Sequence, residues 1–230
     1  MTAKQDNSNL AAKLMLRRHF LEAYHADGSA NVLDCCQGNG VLWARLRNEF
    51  RTAGYWGLDV KPSKGRLKLA SERVLAQPGW PQNVVDIDTY GSPWALWLAM
   101  LPNVTKDTTV FLTVGRRGIA NKNLTPKSLT DDEAKAIGFG IDLYRLGGKQ
   151  LQTYFGSKIA ALADAYLLAR LFEHDLEAVE AVEVVGGTAT RYIGIRLKYT
   201  RKVDRMTNGQ GADNAMPILS TTTLGGNGHV

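Results

Sequence analysis

Three short apolar runs, each with an aspartate near its end, restrict the folds open to this chain more than any other sequence feature. The runs are NVLDCC at 31–36, YWGLDV at 55–60 and NVVDID at 83–88, and a fourth, TTVFLTVG, follows at 108–115. Turn residues and helical patterns separate them. Strands that alternate with helices in this way form mostly parallel sheets. The acids are then expected at the sheet edge where open α/β folds bind ligands.

Helical periodicity predicts the other elements. Four segments are predicted to be helices because of their apolar spacing and their boundary residues: 9–25, 41–50, 93–100 and 157–172. The first of them is amphipathic, with Lys13, Arg17 and Arg18 between its apolar positions. The segment from Leu67 to Leu75 fits either a short strand or a short helix.

The last regular elements are predicted to form an antiparallel hairpin. Two β-rich runs, 181–187 and 191–200, are joined through a Gly-Gly turn. We therefore expect an α/β fold with an open, mostly parallel sheet and an antiparallel C-terminal hairpin. One domain is expected over 1–204, whereas residues 205–230 are rich in Gly, Asn and Thr and are predicted to be disordered.

Composition restricts the setting and the partners. The 230-residue chain carries a formal net charge of +6, which suits a polyanionic partner such as nucleic acid. Its two cysteines, Cys35 and Cys36, are adjacent, so a disulfide between them is geometrically poor and a reducing cytoplasm is expected. No apolar run of signal-peptide or membrane-spanning length occurs, and the four histidines lack metal-ligand spacing. The expectation is a cytoplasmic protein without a membrane segment or a metal.

A glycine turn after the first strand and an acid after the second predict a nucleoside-binding site. Gly38 and Gly40 allow the backbone to approach a ligand closely, next to the N–H groups of a helix N-terminus. Asp59, about 20 residues further on, can accept hydrogen bonds from ribose hydroxyls. Trp43 stands where dinucleotide-binding folds have a third glycine, and no P-loop sequence is present. The pattern favours a nucleoside cofactor without phosphates, while the simpler alternative is a tight strand-to-helix turn.

These residues resemble the first motif of the class I S-adenosylmethionine-dependent methyltransferases, D-x-x-x-G-x-G, followed by a ribose-binding acid. Asp34, Gly38 and Gly40 match the motif and Asp59 matches the acid, whereas Cys36 stands where the family often has another glycine. The resemblance implies a Rossmann-like class I methyltransferase fold over about residues 30–200, with S-adenosyl-L-methionine as cofactor. The residues implied to bind the cofactor are Asp34, Cys35, Gln37, Gly38, Gly40, Asp59, Val60 and Asp86.

The segment DIDTYGSP at 86–93 resembles the fourth motif of amino-methyltransferases, and more closely the D-x-D-P-F-G-S-P segment of the tRNA guanine-N2 methyltransferases. Thr89 stands where those families have proline. A carboxylate and a backbone carbonyl can accept the N–H groups of an amine, while an aromatic ring stacks on the base. The resemblance implies that Asp88, Thr89 and Tyr90 position an exocyclic amine of a nucleic-acid base, with Asp86 as a supporting acceptor. Alternatively, the two acids only cap the following helix.

Four further residues are predicted to contact the substrate: Pro93, Trp94, Arg116 and Arg117. Pro93 would shape the turn, and Trp94 would line the pocket unless it packs in the core. Arg116 and Arg117 lie in a basic loop after the fourth strand, where phosphate contacts and simple solvation are both plausible. The expected function is methyl transfer to a nucleic-acid base, DNA or RNA. The alternatives are methylation of a small molecule or a protein, and a non-catalytic cofactor-binding module with the same fold.

Overall fold

The computed structural model describes residues 9–60, 68–89, 92–115, 167–186, 190–200 and 222–223. The strands within these ranges are β1 (Asn31–Asp34), β2 (Gly54–Gly57), β3 (Val84–Ile87), β4 (Thr108–Gly115), β5 (Leu176–Gly186), β6 (Thr190–Tyr199) and β7 (Thr222–Thr223). The α-helices that lie entirely within them are α1 (Leu10–Tyr24), α2 (Val41–Glu49), α3 (Ser71–Leu75) and α4 (Trp94–Met100).

The strands form one sheet in the order β2-β1-β3-β4-β6-β5-β7. Strands β1 to β4 are parallel to one another, so their carboxyl ends meet at one edge of the sheet. Strand β6 pairs antiparallel with both β4 and β5. The predicted mostly parallel sheet with an antiparallel hairpin is therefore confirmed. In the register of this sheet, Asp34 lies between Gly57 of β2 and Asp86 of β3.

Helices cover both faces of the sheet, because successive strand residues point to opposite sides. Leu33 and Val85 belong to the core on the side of α3 and α4. Val32 and Val84 belong to the core on the side of α1 and α2. Asp34 and Asp86 follow these last two valines by two residues, so the strand-end acids face α1 and α2. The strands are apolar on both faces because both are covered.

The helix α1 packs directly on the middle of the sheet. The ring of Phe20 meets the ring of Phe111 edge to face, with 5.7 Å between the ring centroids. Opposite Phe20 lies Gly194 of β6, where a Cβ atom would collide with the Phe20 ring. The absence of a side chain at Gly194 therefore allows the close approach that brings the polar residues of α1 over the strand-end acids.

Several predicted boundaries differ from the observed ones. Strand β1 ends at Asp34 rather than at residue 36, and β2 ends at Gly57, so Asp59 follows its strand by two residues. The ambiguous segment before Leu75 contains the helix α3, while Lys68 makes only an isolated bridge with Asp59. The helix α4 ends at Met100, as predicted, and a 3-10 helix over Leu101–Asn103 follows it.

Two predicted C-terminal segments lie only partly within the described residues. Of the predicted helix 157–172, only residues from 167 onwards lie in the described part of the chain, and Arg170–His174 forms a 3-10 helix. Thr222–Thr223 pairs parallel with β5, and the rest of 205–230 lies outside the described residues. The domain boundary at 204 stays a prediction. None of the helices in the described ranges combines the length and the apolar character that crossing a bilayer requires.

Candidate active site

The glycine turn lies at the carboxyl edge of the parallel strands. Gly38 and Gly40 have φ values of 51° and 72°, which lie in the left-handed region that favours glycine. The backbone N–H of Gly40 donates to the carbonyl of Gln37 at 2.7 Å and closes the turn. The next residue, Val41, begins α2. Both glycines are therefore required by the backbone of this turn.

Asp59 contacts the glycine turn although 21 residues separate it from Gly38. The backbone N–H of Gly38 donates to Oδ2 of Asp59 at 2.8 Å. One residue earlier, the N–H of Gln37 donates to the carbonyl of Leu58 at 2.9 Å. Val60 follows with its side chain 56% exposed. The two sequence features that predict a nucleoside site are thus adjacent in space.

Asp34 lies beneath this turn in a chain of hydrogen bonds. The hydroxyl of Tyr55 donates to Oδ2 of Asp34 at 2.8 Å, and Nε2 of Gln37 donates to the Tyr55 oxygen at 2.9 Å. The Gln37 side chain lies over Gly57, where any Cβ would collide with it. Gln37, which was expected to contact the cofactor, therefore uses its amide to connect the turn with β2.

The environment of Asp34 favours its neutral form. Asp34 is 4% exposed and stands in register with Asp86 of the adjacent strand. Burial, together with the negative charge of Asp86, raises the pKa of Asp34 to about 8, against the lowering effect of the hydrogen bond from Tyr55. Asp34 therefore keeps its proton between about pH 4 and about pH 8, where an exposed aspartate is ionised.

We expect Asp34→Asn to reduce the pH dependence of stability between about pH 4 and about pH 8. The raised pKa means that the folded state binds a proton more tightly than the unfolded state, so the free energy of unfolding falls as pH rises through this interval. The asparagine amide does not titrate and still accepts the Tyr55 hydrogen bond. The free energy of unfolding of Asp34→Asn, relative to that of the wild type, should therefore rise by about 1 kcal/mol or more between about pH 5 and about pH 8.

Urea unfolding at the two pH values measures this difference. Asp107→Asn is the matched control, because the Asp107 side chain is 52% exposed and lies just before β4, at the opposite edge of the sheet. A pH dependence that is equal in Asp34→Asn and wild type would contradict the assignment of a proton to Asp34.

Asp86 is fully buried and holds two helices on the sheet. Arg17 donates from Nη2 to Oδ1 at 2.6 Å and from Nε to Oδ2 at 2.7 Å. Trp43 of α2 donates from Nε1 to Oδ2 at 2.7 Å. The guanidinium of Arg17 also lies 4.9 Å from the ring centroid of Phe111. The structure thus gives Asp86 a structural role instead of the predicted contacts with cofactor and amine, because its oxygens are inaccessible and bonded to α1 and α2.

Asp88 lies just beyond β3, with 18% of its side chain exposed. The ammonium of Lys13 donates to Oδ2 at 2.7 Å, and the hydroxyl of Thr113 donates to Oδ1 at 2.5 Å. Burial raises the pKa of Asp88, but the charges of Arg17 and Lys13 and the hydrogen bonds from Lys13 and Thr113 outweigh it, so this pKa lies below its usual value. Thr89 follows, and its hydroxyl donates to the carbonyl of Thr113 at 3.4 Å. An ionised carboxylate therefore stands at the edge that carries the glycine turn.

Three other predicted contacts belong to the core or the backbone scaffold. The Cys35 side chain is buried in the core, while its N–H donates to the carbonyl of Asp86 at 2.8 Å and its carbonyl accepts the Ser71 hydroxyl. Trp94 is fully buried, so the core-packing alternative applies to it. Pro93 is buried at the start of α4, where its carbonyl accepts the N–H of Trp97. These three side chains are therefore not on a ligand-facing surface.

The other predicted substrate residues cannot be placed. Tyr90, Arg116 and Arg117 lie outside the described residues, and their roles stay predictions. Conversely, sequence reasoning missed Lys13 and Arg17. Their spacing of four places them on one face of α1, which is a signal that a buried polar face is available for the strand-end acids.

Comparison with known proteins supports the fold assignment. No protein-family model and no curated protein sequence matches this chain. The structure of Trm1 from Pyrococcus horikoshii in complex with S-adenosyl-L-methionine is similar, with a TM-score of 0.55 and 15% identity. The match covers 85% of this chain and 56% of Trm1, so the chain spans little more than half the length of that protein.

Two putative hemolysins are also similar in structure. The protein from Lactococcus lactis has a TM-score of 0.52 at 10% identity, over 85% of this chain and 90% of its own. The protein from Streptococcus thermophilus has a TM-score of 0.51 at 8% identity, over 87% and 70%. At these identities the likeness concerns the fold alone, and it agrees with the α/β Rossmann-like architecture described above.

Proposed function

We propose that this protein is an S-adenosyl-L-methionine-dependent methyltransferase. The observation that carries the proposal is the hydrogen bond between Gly38 and Asp59, because it joins the turn expected beside the methionine part of the cofactor to the acid expected on its ribose. Gly38 and Gly40, whose positive φ values favour glycine, have no side chains, so a ligand can approach the backbone at these two positions. Trm1, which shares the fold, binds S-adenosyl-L-methionine in its structure.

The described residues fit a nucleoside cofactor without phosphates. A carboxylate accepts several hydrogen bonds, so Asp59 can hold the Gly38 N–H and a ribose hydroxyl together. The exposed Val60 beside it offers an apolar surface to the adenine ring. The Asp34 end of its strand and the turn at Gly38 and Gly40 would hold the methionine part. When bound, the cofactor would supply an electrophilic methyl group on a sulfonium.

For the acceptor we propose an exocyclic amine of a nucleic-acid base. One amine N–H would donate to Asp88 and another to the carbonyl of Thr89, which points the nitrogen lone pair at the sulfonium methyl group. Held in this way, the amine nitrogen would take the methyl group as the sulfur–carbon bond broke, neutral S-adenosylhomocysteine would leave, and the methylated amine would lose its extra proton to water. Asp88 therefore acts by orientation and charge, and no strong base is required. The net charge of +6 and the resemblance of DIDTYGSP to amino-methyltransferase motifs support this acceptor.

A second candidate function is a non-catalytic module that binds the cofactor. The observation that favours it is the ion pair of Lys13 with Asp88, since Oδ2 of the carboxylate that an amine would use already accepts a hydrogen bond from an ammonium. Thr89 in place of proline also fits this candidate. Cofactor binding without methyl transfer to any pool of DNA, RNA, protein or small molecules would favour it.

Calorimetric titration with S-adenosylhomocysteine tests the cofactor site. We expect the wild type to bind and Asp59→Ala to bind at least about tenfold more weakly, because hydrogen bonds to a charged group are worth about 1.5–3 kcal/mol. Asp107→Ala, which removes an acid at the opposite edge, should bind as the wild type does. Absence of binding by the wild type, with and without nucleic acid, would contradict the proposal, as would equal binding by Asp59→Ala.

Transfer of a radiolabelled methyl group onto DNA and RNA pools tests the acceptor. Transfer to nucleic acid should weaken steeply as the salt concentration rises. Salt screens the contacts with phosphates and makes the release of counterions from the nucleic acid less favourable. Transfer that occurs only with small molecules or protein, and that is insensitive to salt, would contradict the nucleic-acid acceptor while leaving the methyltransferase proposal in place.

A further inference from the structure

The helix α1 contributes a side chain to the candidate site, although in the sequence this residue lies far from every motif of the site. We propose that Lys13, together with Thr113, is a positioning residue that fixes the Asp88 carboxylate in the orientation in which it accepts the substrate amine. This inference rests on the proposed methyltransferase function. It assigns to the leading helix a part in catalysis in addition to its packing on the sheet.

The geometry holds Asp88 from two sides. Lys13 of α1 donates to Oδ2, and Thr113 of β4 donates to Oδ1, while Asp88 itself follows β3. The carboxylate cannot rotate about its Cβ–Cγ bond without losing one of these hydrogen bonds. Thr89 is connected to the same strand through the carbonyl of Thr113. Both predicted amine acceptors are therefore hydrogen-bonded to the same residue of β4. Methyl transfer that depends on orientation requires this kind of preorganisation.

Lys13 is itself held in place, unlike a typical surface lysine. Its side chain is 11% exposed, and its ammonium lies 5.5 Å from the ring centroid of Tyr192. Its backbone carbonyl accepts a hydrogen bond from Nη1 of Arg17 at 3.1 Å, and Arg17 is bonded to the buried Asp86. The position of Lys13 thus depends on the same buried ion pair that fixes α1 on the sheet.

Asp88 can accept further hydrogen bonds while Lys13 stays bound. Among the described residues, each oxygen of Asp88 accepts one hydrogen bond, and a carboxylate offers about four acceptor sites. An amine can therefore donate to Asp88 without displacing Lys13. Lys13 and Thr113 would act on the substrate only through Asp88.

After Arg17, Lys13 is the second cation that lowers the pKa of Asp88. Among the described residues, the charged and titratable groups that act on Asp88 or are acted on by it are Lys13, Arg17, Asp34 and Cys36. Arg17 is bonded to Asp86, so Lys13 is the cation bonded directly to Asp88. Loss of this ammonium would remove one of the two cations that lower the pKa of Asp88, so the proton of Asp88 would be lost at a higher pH.

The test compares Lys13→Met with Arg18→Met in the full chain. Both variants remove one positive charge from α1, but Arg18 pairs with Glu49 on an exposed face. We expect carbon-13 NMR of the side-chain carboxyls, with Asp88 assigned through Asp88→Asn, to show Asp88 titrating at higher pH in Lys13→Met and unchanged in Arg18→Met. This readout needs no methyl transfer.

Kinetics provide the second readout. In Lys13→Met, kcat should fall by about tenfold or more, and the acidic limb of the pH profile should move to higher pH, while S-adenosylhomocysteine affinity is unchanged. Thr113→Val should also lower kcat, and Thr113→Ser, which keeps the hydroxyl, should restore it. If Lys13→Met does not fold, the two Thr113 variants still test whether the hydrogen bond to Oδ1 positions Asp88.

Two results would overturn the inference. An unchanged Asp88 titration in Lys13→Met would mean that Lys13 does not control this carboxylate. Faster methyl transfer by Lys13→Met would mean that Lys13 competes with the amine instead of positioning its acceptor. A wild type that transfers methyl groups to no acceptor would instead contradict the proposed function, and the NMR titration would still decide whether Lys13 holds Asp88.

Discussion

Arg17→Met is expected to lower the free energy of unfolding by about 3–5 kcal/mol, which is the usual cost of removing one partner of a buried ion pair. Arg17 is 1% exposed, and its partner Asp86 is fully buried. The substitution leaves the Asp86 carboxylate without its cation in a site that water does not reach. It also removes the contact with Phe111 and the hydrogen bond to the carbonyl of Lys13.

The adjacent residue provides the matched control. Arg18 binds Glu49 in the same two-bond arrangement, at 2.6 and 2.7 Å, but both side chains are 39% exposed. Arg18→Met should therefore cost less than about 1 kcal/mol, because exposed ion pairs contribute little. Chemical denaturation of the two variants measures the difference, and equal losses would contradict the importance of burial. Adding Asp86→Asn to Arg17→Met should restore part of the stability, since no charge is then buried.

Asp88→Ala is expected to reduce methyl transfer by at least about a hundredfold, which is the range found when one group that stabilises a transition state is removed. Its affinity for S-adenosylhomocysteine should remain close to that of the wild type, because Asp59 and the glycine turn bind the cofactor. The reason is geometric: without the carboxylate, the amine is held by the Thr89 carbonyl alone and its lone pair is not directed at the methyl group.

Parallel measurements of transfer and binding check this prediction. Asp88→Ala leaves Lys13 without its partner, so Asp88→Asn serves as the isosteric variant and should lose activity while it retains the fold. Asp107→Ala, at the opposite edge of the sheet, should transfer methyl groups at the wild-type rate. Strong activity in both Asp88 variants would contradict the mechanism, and loss of cofactor binding in both would indicate a structural role for Asp88.

The parts of the fold that depend on local patterns could be predicted from the sequence. The bounds of β4 agree with the predicted strand at 108–115, and the predicted hairpin forms from β5 and β6. The glycine turn was also predictable, because the left-handed backbone of Gly38 and Gly40 is a local property. Strand ends were less predictable. Cys35 continues the apolar run of the sequence, but the strand β1 ends at Asp34.

The roles of the strand-end acids were decided by tertiary structure. From the sequence, Asp86 and Asp88 are two similar carboxylates two residues apart. In the structure, Asp86 is bonded to Arg17, 69 residues away, whereas Asp88 is bonded to Lys13, 75 residues away. A periodicity analysis cannot identify such partners, because it sees only residues within the same helix or strand.

The alternation of strands and helices, the glycine turn and the acids that follow the parallel strands are predictable, because each depends on residues close together in the chain. Which acid is buried in a structural ion pair, and which remains partly exposed and ionised at the candidate site, follows only from the three-dimensional packing. The physical reason is that burial and charge pairing depend on how α1 packs across the sheet, and that packing is set by contacts such as Phe20 with Phe111 and Gly194.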